Sequence, residues 1–232
     1  MPAKSGGYRN RILASLPKSE LSRLSRFLTP IDLPQSHILL DGTATHGYFL
    51  EEGVASVVVL LGNGDSVEVG VIGREGVVGM PILLGTESSP GRTFMQLAGS
   101  GYRISAAKLK QAYEDGGSFR QRVQRYMQGF MVQTAQTAAC NRLHGIEERL
   151  SRWLLTCHDR LDSDQLRLTQ DFLATMLGAP RTTVTLAAGL LQRAGMIEYS
   201  RGVVKITDRA ALESSTCECY RTVSDEFRRL KL

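Results

Sequence analysis

Residues 170–189, QDFLATMLGAPRTTVTLAAG, decide the fold of the C-terminal part of this chain. The stretch predicts two short helices packed steeply across a tight turn, a helix-turn-helix. Ala174 is small enough for close contact between the helices, and Gly178 can adopt the positive φ that the turn requires. Pro180 suits the opening of the second helix, where no backbone N–H is needed. Apolar residues should fill the angle between the two helices, and they are Leu173, Leu177, Val184 and Ala187.

The second helix is predicted from about Arg181 to Arg193, and Gly195 provides a C-terminal cap. Its first turn combines an arginine fork with the hydroxyls of Thr182 and Thr183. Such groups at a helix N-terminus can reach both base edges and phosphates in a DNA groove. The pattern therefore predicts a recognition helix.

A β-hairpin is predicted directly after this helix. Two alternating runs between Met196 and Thr207 flank the turn Ser200-Arg201-Gly202. Arg201 and Lys205 suit phosphate contacts, and residues 179–205 carry four basic residues and one acid. A purely structural helical hairpin beside a β-ribbon is the alternative, but helix spacing, hairpin and charge agree on DNA binding. The predicted DNA-binding residues are Thr169, Gln170, Arg181, Thr182, Thr183, Thr185, Arg201 and Lys205.

Residues 31–105 have a different sequence pattern, in which short apolar runs are separated by turn residues every 8–12 positions. This spacing predicts a sandwich, jelly roll or barrel. Gly62-Asn63-Gly64-Asp65 lies between two apolar runs and indicates a hairpin. Before this region, residues 9–28 predict one or two short amphipathic helices with a break at Pro17.

A long helix is predicted from about Gly117 to Asn141, because the stretch has no proline and one internal glycine. Residues on it recur at alternating spacings of three and four, which favours a coiled-coil-like dimer seam. An ordinary amphipathic helix lying on the β-domain is the alternative. The predicted seam residues are Val123, Met127, Phe130, Thr134, Thr137 and Asn141.

The boundaries predicted from these patterns divide the chain into three parts. Residues 1–116 hold the N-terminal helices and the β-domain, 117–145 the long helix with a hinge at Gly145, and 146–232 the winged helix. The predicted class is α+β: an N-terminal sandwich, jelly roll or barrel, a long helix that favours a dimer seam, and a C-terminal winged helix-turn-helix.

The composition is ordinary for a globular protein, with 42% hydrophobic and 22% charged residues and a net charge of +5. No apolar run reaches the length of a membrane-spanning helix, and the start of the chain lacks the apolar core of a signal peptide. These features predict a cytoplasmic protein that does not associate with membranes. No spacing of nucleophile, base or paired carboxylates indicates catalysis, so an enzyme is not predicted.

The cysteines are Cys140, Cys157, Cys217 and Cys219, and only the last two are close in sequence. They form no regularly spaced four-ligand set for zinc or an iron–sulfur cluster, and free thiols are the default in the cytoplasm. No metal site and no cofactor are predicted from the sequence.

These motifs together resemble the family of the cyclic AMP receptor protein and the fumarate–nitrate reduction regulator, the Crp–Fnr family of bacterial transcription regulators. The resemblance spans about residues 21–207. It is strongest at 177–185, 190–197 and 199–206, and it extends to the pattern of glycines and aromatic residues between Gly42 and Asp65. It implies an N-terminal effector-binding, double-stranded β-roll of the jelly-roll kind, a long dimerisation helix, a hinge near Gly145 and a C-terminal winged helix-turn-helix. As partners it implies double-stranded DNA, a second copy of the chain and RNA polymerase.

The resemblance also implies where an effector would bind and where this chain departs from the family. Members that bind cyclic AMP carry Gly-Glu-x-Gly followed by Arg-Ser or Arg-Thr, but Val77 stands here in place of the acid that receives the ribose hydroxyl. Arg92 and Thr93 resemble the phosphate-holding pair, and Thr134 falls near the place where the long helix would meet a purine. Cyclic AMP binding is therefore expected to be absent or weak.

The position of Arg181 corresponds to the family's guanine-reading arginine, whereas Thr182 and Leu186 replace the acid and the second arginine of the cyclic AMP receptor protein. The preferred operator should therefore differ. Two other functions stay open: a regulator of the same family that responds to haem, redox state or another small ligand, and a cyclic-nucleotide-binding module acting on a protein partner. His37 and His46 are predicted to be turn or surface residues rather than haem ligands.

Overall fold

The computed structural model describes residues 7–232. Residues 1–6 lie outside the described part, and with them most of the N-terminal segment that was predicted not to be a signal peptide. No helix among the described residues combines the length and the apolar character needed to cross a bilayer.

The chain alternates between helical and β-rich segments in the order that the sequence predicts. The helices are α1 (Arg11–Ala14), α2 (Lys18–Ser25), α3 (Met80–Leu83), α4 (Ala106–Glu114), α5 (Gly117–Leu143), α6 (Ile146–His158), α7 (Gln170–Leu177), α8 (Arg181–Arg193), α9 (Arg209–Ser214) and α10 (Cys219–Arg229). The strands are β1 (Thr29–Leu33), β2 (Ile38–Thr43), β3 (His46–Leu50), β4 (Val54–Leu60), β5 (Ser66–Ile72), β6 (Ser88–Leu97), β7 (Gly99–Ser105), β8 (Gln165–Arg167), β9 (Ile197–Ser200) and β10 (Val203–Ile206).

The β-rich region forms two sheets, one with the strand order β1-β7-β3 and the other β2-β6-β4-β5. Strands β1 and β3 both pair antiparallel with β7, and β2 pairs antiparallel with β6. Strand β3 is covered on both faces, since Gly47–Leu50 are all buried, and the largest fully buried side chains of the region include Phe49, Leu50, Met95 and Ile104. This arrangement confirms the predicted α+β class with a roll of antiparallel strands.

The chain divides into two compact units. The first contains the residues up to Ser56, Ile72–Phe130 and Phe227–Leu232, and the second contains Val57–Val71 and Met131–Glu226. The three-part division at residues 116 and 145 stays a prediction.

Helix α5 does not present the predicted seam to solvent. Val123 is fully buried within the chain, and Phe130 and Thr137 are almost as inaccessible at 8% and 6%. Residues covered by their own chain cannot form the contact with a second copy in this conformation. Burial of these three residues favours the alternative of a helix packed on its own domain, and the seam assignment stays a prediction. Met127, Thr134 and Asn141 are half-buried.

An exposed stripe of α5 lies one residue further along than the predicted seam, about 100° around the helix, and follows the same alternation of three and four residues. Met131 is the most prominent side chain of this face, with 66% of its surface accessible. The remaining members are small or amide side chains, and they are Gln121, Gln124, Gln128, Ala135 and Ala138. This stripe is accessible to a partner helix.

The positive φ of Gly178 makes a clear prediction about stability. Gly178→Ala should destabilise the protein by about 1–2 kcal/mol, because φ is +56° and an added Cβ would lie 3.0 Å from Val67 Cγ2. Gly189 lies inside α8 with no positive φ, and Gly189→Ala should instead stabilise by about 0.5–1 kcal/mol. Urea denaturation of both variants measures the two effects, and shifts of equal sign would contradict this interpretation.

Candidate nucleic-acid interface

Two helices packed across a left-handed turn form the framework of the interface. Helix α7 ends at Gly178, whose φ and ψ of 56° and 44° place it in the left-handed region, and α8 begins directly after Pro180. The four residues predicted to fill the angle between the helices are all buried, with exposures of 0–1% for Leu173, Leu177, Val184 and Ala187. The packing predicted from the sequence is confirmed.

The N-terminus of α7 is held by local hydrogen bonds. The Thr169 hydroxyl accepts a hydrogen bond of 3.2 Å from the Phe172 backbone N–H, which is the arrangement of an N-cap. The Thr185 hydroxyl donates to Gln170 Oε1 at 2.9 Å and so joins the exposed surfaces of α7 and α8. Thr169, Gln170 and Thr185 therefore stabilise the two helices as well as facing solvent.

The outward face of α8 combines one cation with small polar and apolar groups. Arg181 is 61% exposed and its guanidinium lies 3.0 Å from the Asp171 carboxylate. Thr182 is exposed and Thr183 is half-buried, whereas Leu186 is 70% exposed. An exposed ion pair of this kind contributes about 0–1 kcal/mol, so Arg181 can exchange Asp171 for another partner at little cost.

The predicted hairpin is present and carries a cation at its tip. Strands β9 and β10 pair antiparallel, and β8 pairs with the other edge of β10. Arg201 is exposed in the turn with φ of +48°, followed by Gly202 with φ of +74°. On β10, Lys205 lies opposite Glu198, and their charged groups are 3.8 Å apart.

Tyr199 ties the hairpin to the helices. Its hydroxyl donates a hydrogen bond of 2.8 Å to the Leu168 carbonyl, and its backbone N–H donates at 2.7 Å to the Gln192 side chain near the end of α8. Burial raises the pKa of Tyr199, with the Asp171 charge acting in the same direction, so the hydroxyl stays a donor at neutral pH. These contacts hold the hairpin in a fixed position beside α7 and α8.

Several predicted residues surround one cleft between the two helices and the hairpin. It has a volume of about 400 Å³, and its walls are Thr169, Gln170, Asp171, Arg181, Tyr199, Ser200, Arg201 and Gly202. Among the described residues, two guanidinium groups therefore face one cleft that contains a single carboxylate. Asp171 and Tyr199 were not predicted to belong to this site. The sequence did contain a signal for each, because Asp171 is an acid in the first turn of α7 and Tyr199 comes just before the hairpin turn.

The predicted effector residues have different surroundings. Val77 is fully buried, and Gly76 beside it lies so close to the Tyr126 ring that an added Cβ would clash at 2.3 Å. Arg92 pairs with Asp41 on the neighbouring strand, with 2.7 Å between Nη2 and the carboxylate. Both groups of this pair are substantially exposed, so Arg92 points outward, whereas the adjacent Thr93 is buried.

Thr134 belongs to the second unit, whereas Val77, Arg92 and Thr93 belong to the first. The Thr134 hydroxyl is buried and has no hydrogen-bond partner among the described residues. Within the first unit, Val77 is buried in the core and Arg92 points outward to Asp41, so the two residues do not line one polar site. Their assignment as effector residues therefore stays a prediction.

Comparisons with known proteins agree with the geometry of the C-terminal domain. Residues 148–215 match the model of the Crp-like helix-turn-helix domain. Comparison of the sequence with curated proteins gave no match.

Solved structures share the fold over most of the chain. A CRP-family transcriptional regulator from Thermus thermophilus, TTHB099, is 21% identical with a TM-score of 0.65, over 81% of this chain and 95% of that one. FixK2 from Bradyrhizobium japonicum is 16% identical with a TM-score of 0.67, over 82% and 98%.

The c-di-GMP-responsive global regulator CLP of Xanthomonas campestris is also 16% identical, with a TM-score of 0.64 over 82% of this chain and 99% of that one. At these identities the likeness establishes the fold, and the matched domain establishes the helix-turn-helix. The chain thus contains a Crp-like helix-turn-helix domain at residues 148–215 and shares its overall fold with solved transcriptional regulators of the Crp–Fnr family.

Proposed function

We propose that the protein is a transcription regulator that binds an inverted-repeat operator as a homodimer. The observation that carries this proposal is the cleft in which Arg181, at the start of α8, and Arg201, at the tip of the hairpin, face the same open space. A recognition helix and a wing that present cations to one groove suit duplex DNA, because the phosphates supply the charge and the base edges the pattern. The relatives of the fold are regulators, and we propose no enzymatic activity.

The two arginines are proposed to have different roles. Arg181 lies on the exposed first turn of α8, from which a planar guanidinium can pair with O6 and N7 of a guanine in the major groove. Arg201 is the first of the two turn residues at the tip of the hairpin, and Lys205 lies on the adjoining strand. Side chains on a wing typically contact the backbone, which carries no sequence information.

Leu186 supplies an apolar element on the reading face. It projects from α8 one turn after Arg181 and Thr182, and 70% of its surface is exposed. An exposed leucine costs free energy in water and gains it on contact with a thymine methyl group. We therefore infer that the half-site contains a thymine next to the guanine that Arg181 contacts.

A second copy of the chain is proposed to pair through the exposed stripe of α5. Met131 lies near the centre of the stripe, and its neighbours Gln128, Ala135 and Ala138 are amide or small side chains. A two-fold axis through such a stripe places each residue near its own copy, and mixed polar and apolar residues fix the register. This replaces the face that the sequence pattern favoured.

The signal is proposed not to be cyclic AMP. Val77 offers no acceptor for the ribose hydroxyl, the Tyr126 ring packs against Gly76, and Arg92 is paired with Asp41. No observation favours haem over another small ligand, and the complete helix-turn-helix argues against a module that acts only on a protein partner. We further propose RNA polymerase as a partner and the cytoplasm as the location, as in other regulators of this kind.

The separate roles of reading and holding can be tested on a panel of operators with single-base changes. Arg181→Ala should cost about 1–3 kcal/mol per half-site and relax the preference at one base position. Arg201→Ala should weaken binding to all sequences alike and lower the slope of log K against log salt by about one unit. Equilibrium binding at several salt concentrations measures both effects. An unchanged base preference in Arg181→Ala, with a changed preference in Arg201→Ala, would reverse the two assignments.

The dimer face can be tested with Met131→Glu. Two carboxylates brought together near a two-fold axis should weaken dimerisation about tenfold or more, which corresponds to about 1.4 kcal/mol. Leu84→Glu is the matched control, because Leu84 is equally exposed at 64% but lies outside α5. Sedimentation equilibrium gives the dissociation constants. A dimer unaffected by Met131→Glu would place the interface elsewhere.

Calorimetry with cyclic AMP should show no binding tighter than about 100 μM. Replacing a carboxylate acceptor with an apolar side chain removes about 2–4 kcal/mol of charged hydrogen bonding. Submicromolar affinity would show that other groups receive the ribose, and it would falsify the assigned position of Val77.

A further inference from the structure

Four potential metal ligands from distant parts of the sequence meet at one point of the second unit. They are the thiols of Cys140, Cys217 and Cys219 and the imidazole of His144, and their ligand atoms all lie within 4.8 Å of one another. Cys140 lies in the last turn of α5, and His144 follows this helix. Cys217 lies just before α10, and Cys219 is the first residue of that helix. All three thiols are buried.

The distances between these atoms suit a single tetrahedral ion. Cys140 Sγ and Cys217 Sγ are 3.5 Å apart, and Cys219 Sγ is 3.5 Å from His144 Nδ1. Around zinc, with bonds of about 2.3 Å to sulfur and 2.0 Å to nitrogen, tetrahedral angles place neighbouring ligands about 3.5–3.8 Å apart. A cluster of several irons would separate its cysteines further, because they bind different metal atoms. Three thiolates with one imidazole are also an established set for structural zinc.

Groups around the four ligands orient them as in a metal site. The Glu218 carboxylate lies 3.4 Å from His144 Nε2, so the proton is favoured on that nitrogen and Nδ1 is left to face the sulfurs. The Gln136 amide donates to Cys219 Sγ at 3.1 Å, a contact that stabilises a thiolate. Carboxylate–histidine pairs of this kind are the usual outer partners of a zinc-bound imidazole.

A buried cation lies close to the cluster. Arg152 is only 6% exposed, its Nε has no hydrogen-bond partner among the described residues, and its Nη1 contacts the Thr137 hydroxyl at 3.5 Å. Burial raises the pKa of the Cys140 thiol, and the positive charge of Arg152 acts against this rise. A divalent ion with three thiolates carries a net charge of −1, so an occupied site would supply the counter-charge that a buried guanidinium needs.

A redox pair of Cys140 and Cys217 is the competing use of the same residues. It would leave His144, its carboxylate partner and Cys219 without a role. The metal accounts for all four ligands and for the groups around them.

We propose that Cys140, His144, Cys217 and Cys219 bind one structural zinc ion per chain. Binding replaces the three thiol protons, which are released to solvent, with three zinc–sulfur bonds, and it involves no change of oxidation state. The ion fastens the start of α10 to the end of α5, one residue before the Gly145 cap at which α6 begins. Zinc binding at this site does not require DNA binding.

Metal analysis of the full-length protein, purified under reducing conditions and dialysed against a weak chelator, tests the proposal. Wild-type protein should contain one zinc per chain, and Cys217→Ser and His144→Ala should each lose most of it. Cys157→Ser is the matched control, because Cys157 is also a buried cysteine but lies outside the cluster. This variant should keep its zinc.

Cobalt substitution and X-ray absorption identify the ligands independently of folding. The Co²⁺ protein should show thiolate-to-metal charge transfer and the intense visible bands of a tetrahedral site, both absent in Cys217→Ser. Zinc absorption should fit three sulfurs at about 2.3 Å and one nitrogen at about 2.0 Å. Metal-free wild-type protein, iron with acid-labile sulfide, equal zinc loss in Cys157→Ser, or a Cys140–Cys217 disulfide in freshly reduced protein would each overturn the proposal.

Discussion

The left-handed turn at Gly178 is the constraint on which the DNA-binding face depends. It lets α8 leave α7 steeply, so that Leu173 and Val184 close the angle between the helices while Arg181 stays exposed on the first turn. The wing is then fixed against this pair by Tyr199, through its bonds to Leu168 and Gln192. A small number of buried contacts thus places two cations, Arg181 and Arg201, around one cleft.

Helix α5 shows how one helix serves two environments. Its length and its apolar repeat are compatible with a seam between two chains, but the apolar repeat is buried within the chain, and the exposed repeat consists of glutamine and alanine around Met131. Burial of the more apolar face within one chain is favoured because it requires no second copy. The exposed face is less apolar. It suits an interface between two helices in which polar residues fix the register of one helix against the other.

The C-terminal segment after the wing has its own part in this arrangement. Gly129 lets Phe227 approach α5 closely, since an added Cβ would lie 3.3 Å from the ring. At the other end of α10, the cysteines meet Cys140 and His144. A proposed ion at that point adds a cross-link between Cys140 and Cys217, which are separated by 77 positions in the sequence.

The sequence by itself determined the class of fold, the helix-turn-helix and the wing, because local signals carry them: a glycine that must have positive φ, a proline at a helix start, and apolar residues at fixed spacing. Tertiary structure decided what periodicity cannot, namely which face of α5 is covered and whether Arg92 points inward or toward Asp41. It also decided the meeting of Cys140 and His144, one turn apart in the sequence, with Cys217 and Cys219. Long-range packing brings these residues together, so their spacing along the chain could not predict the contact.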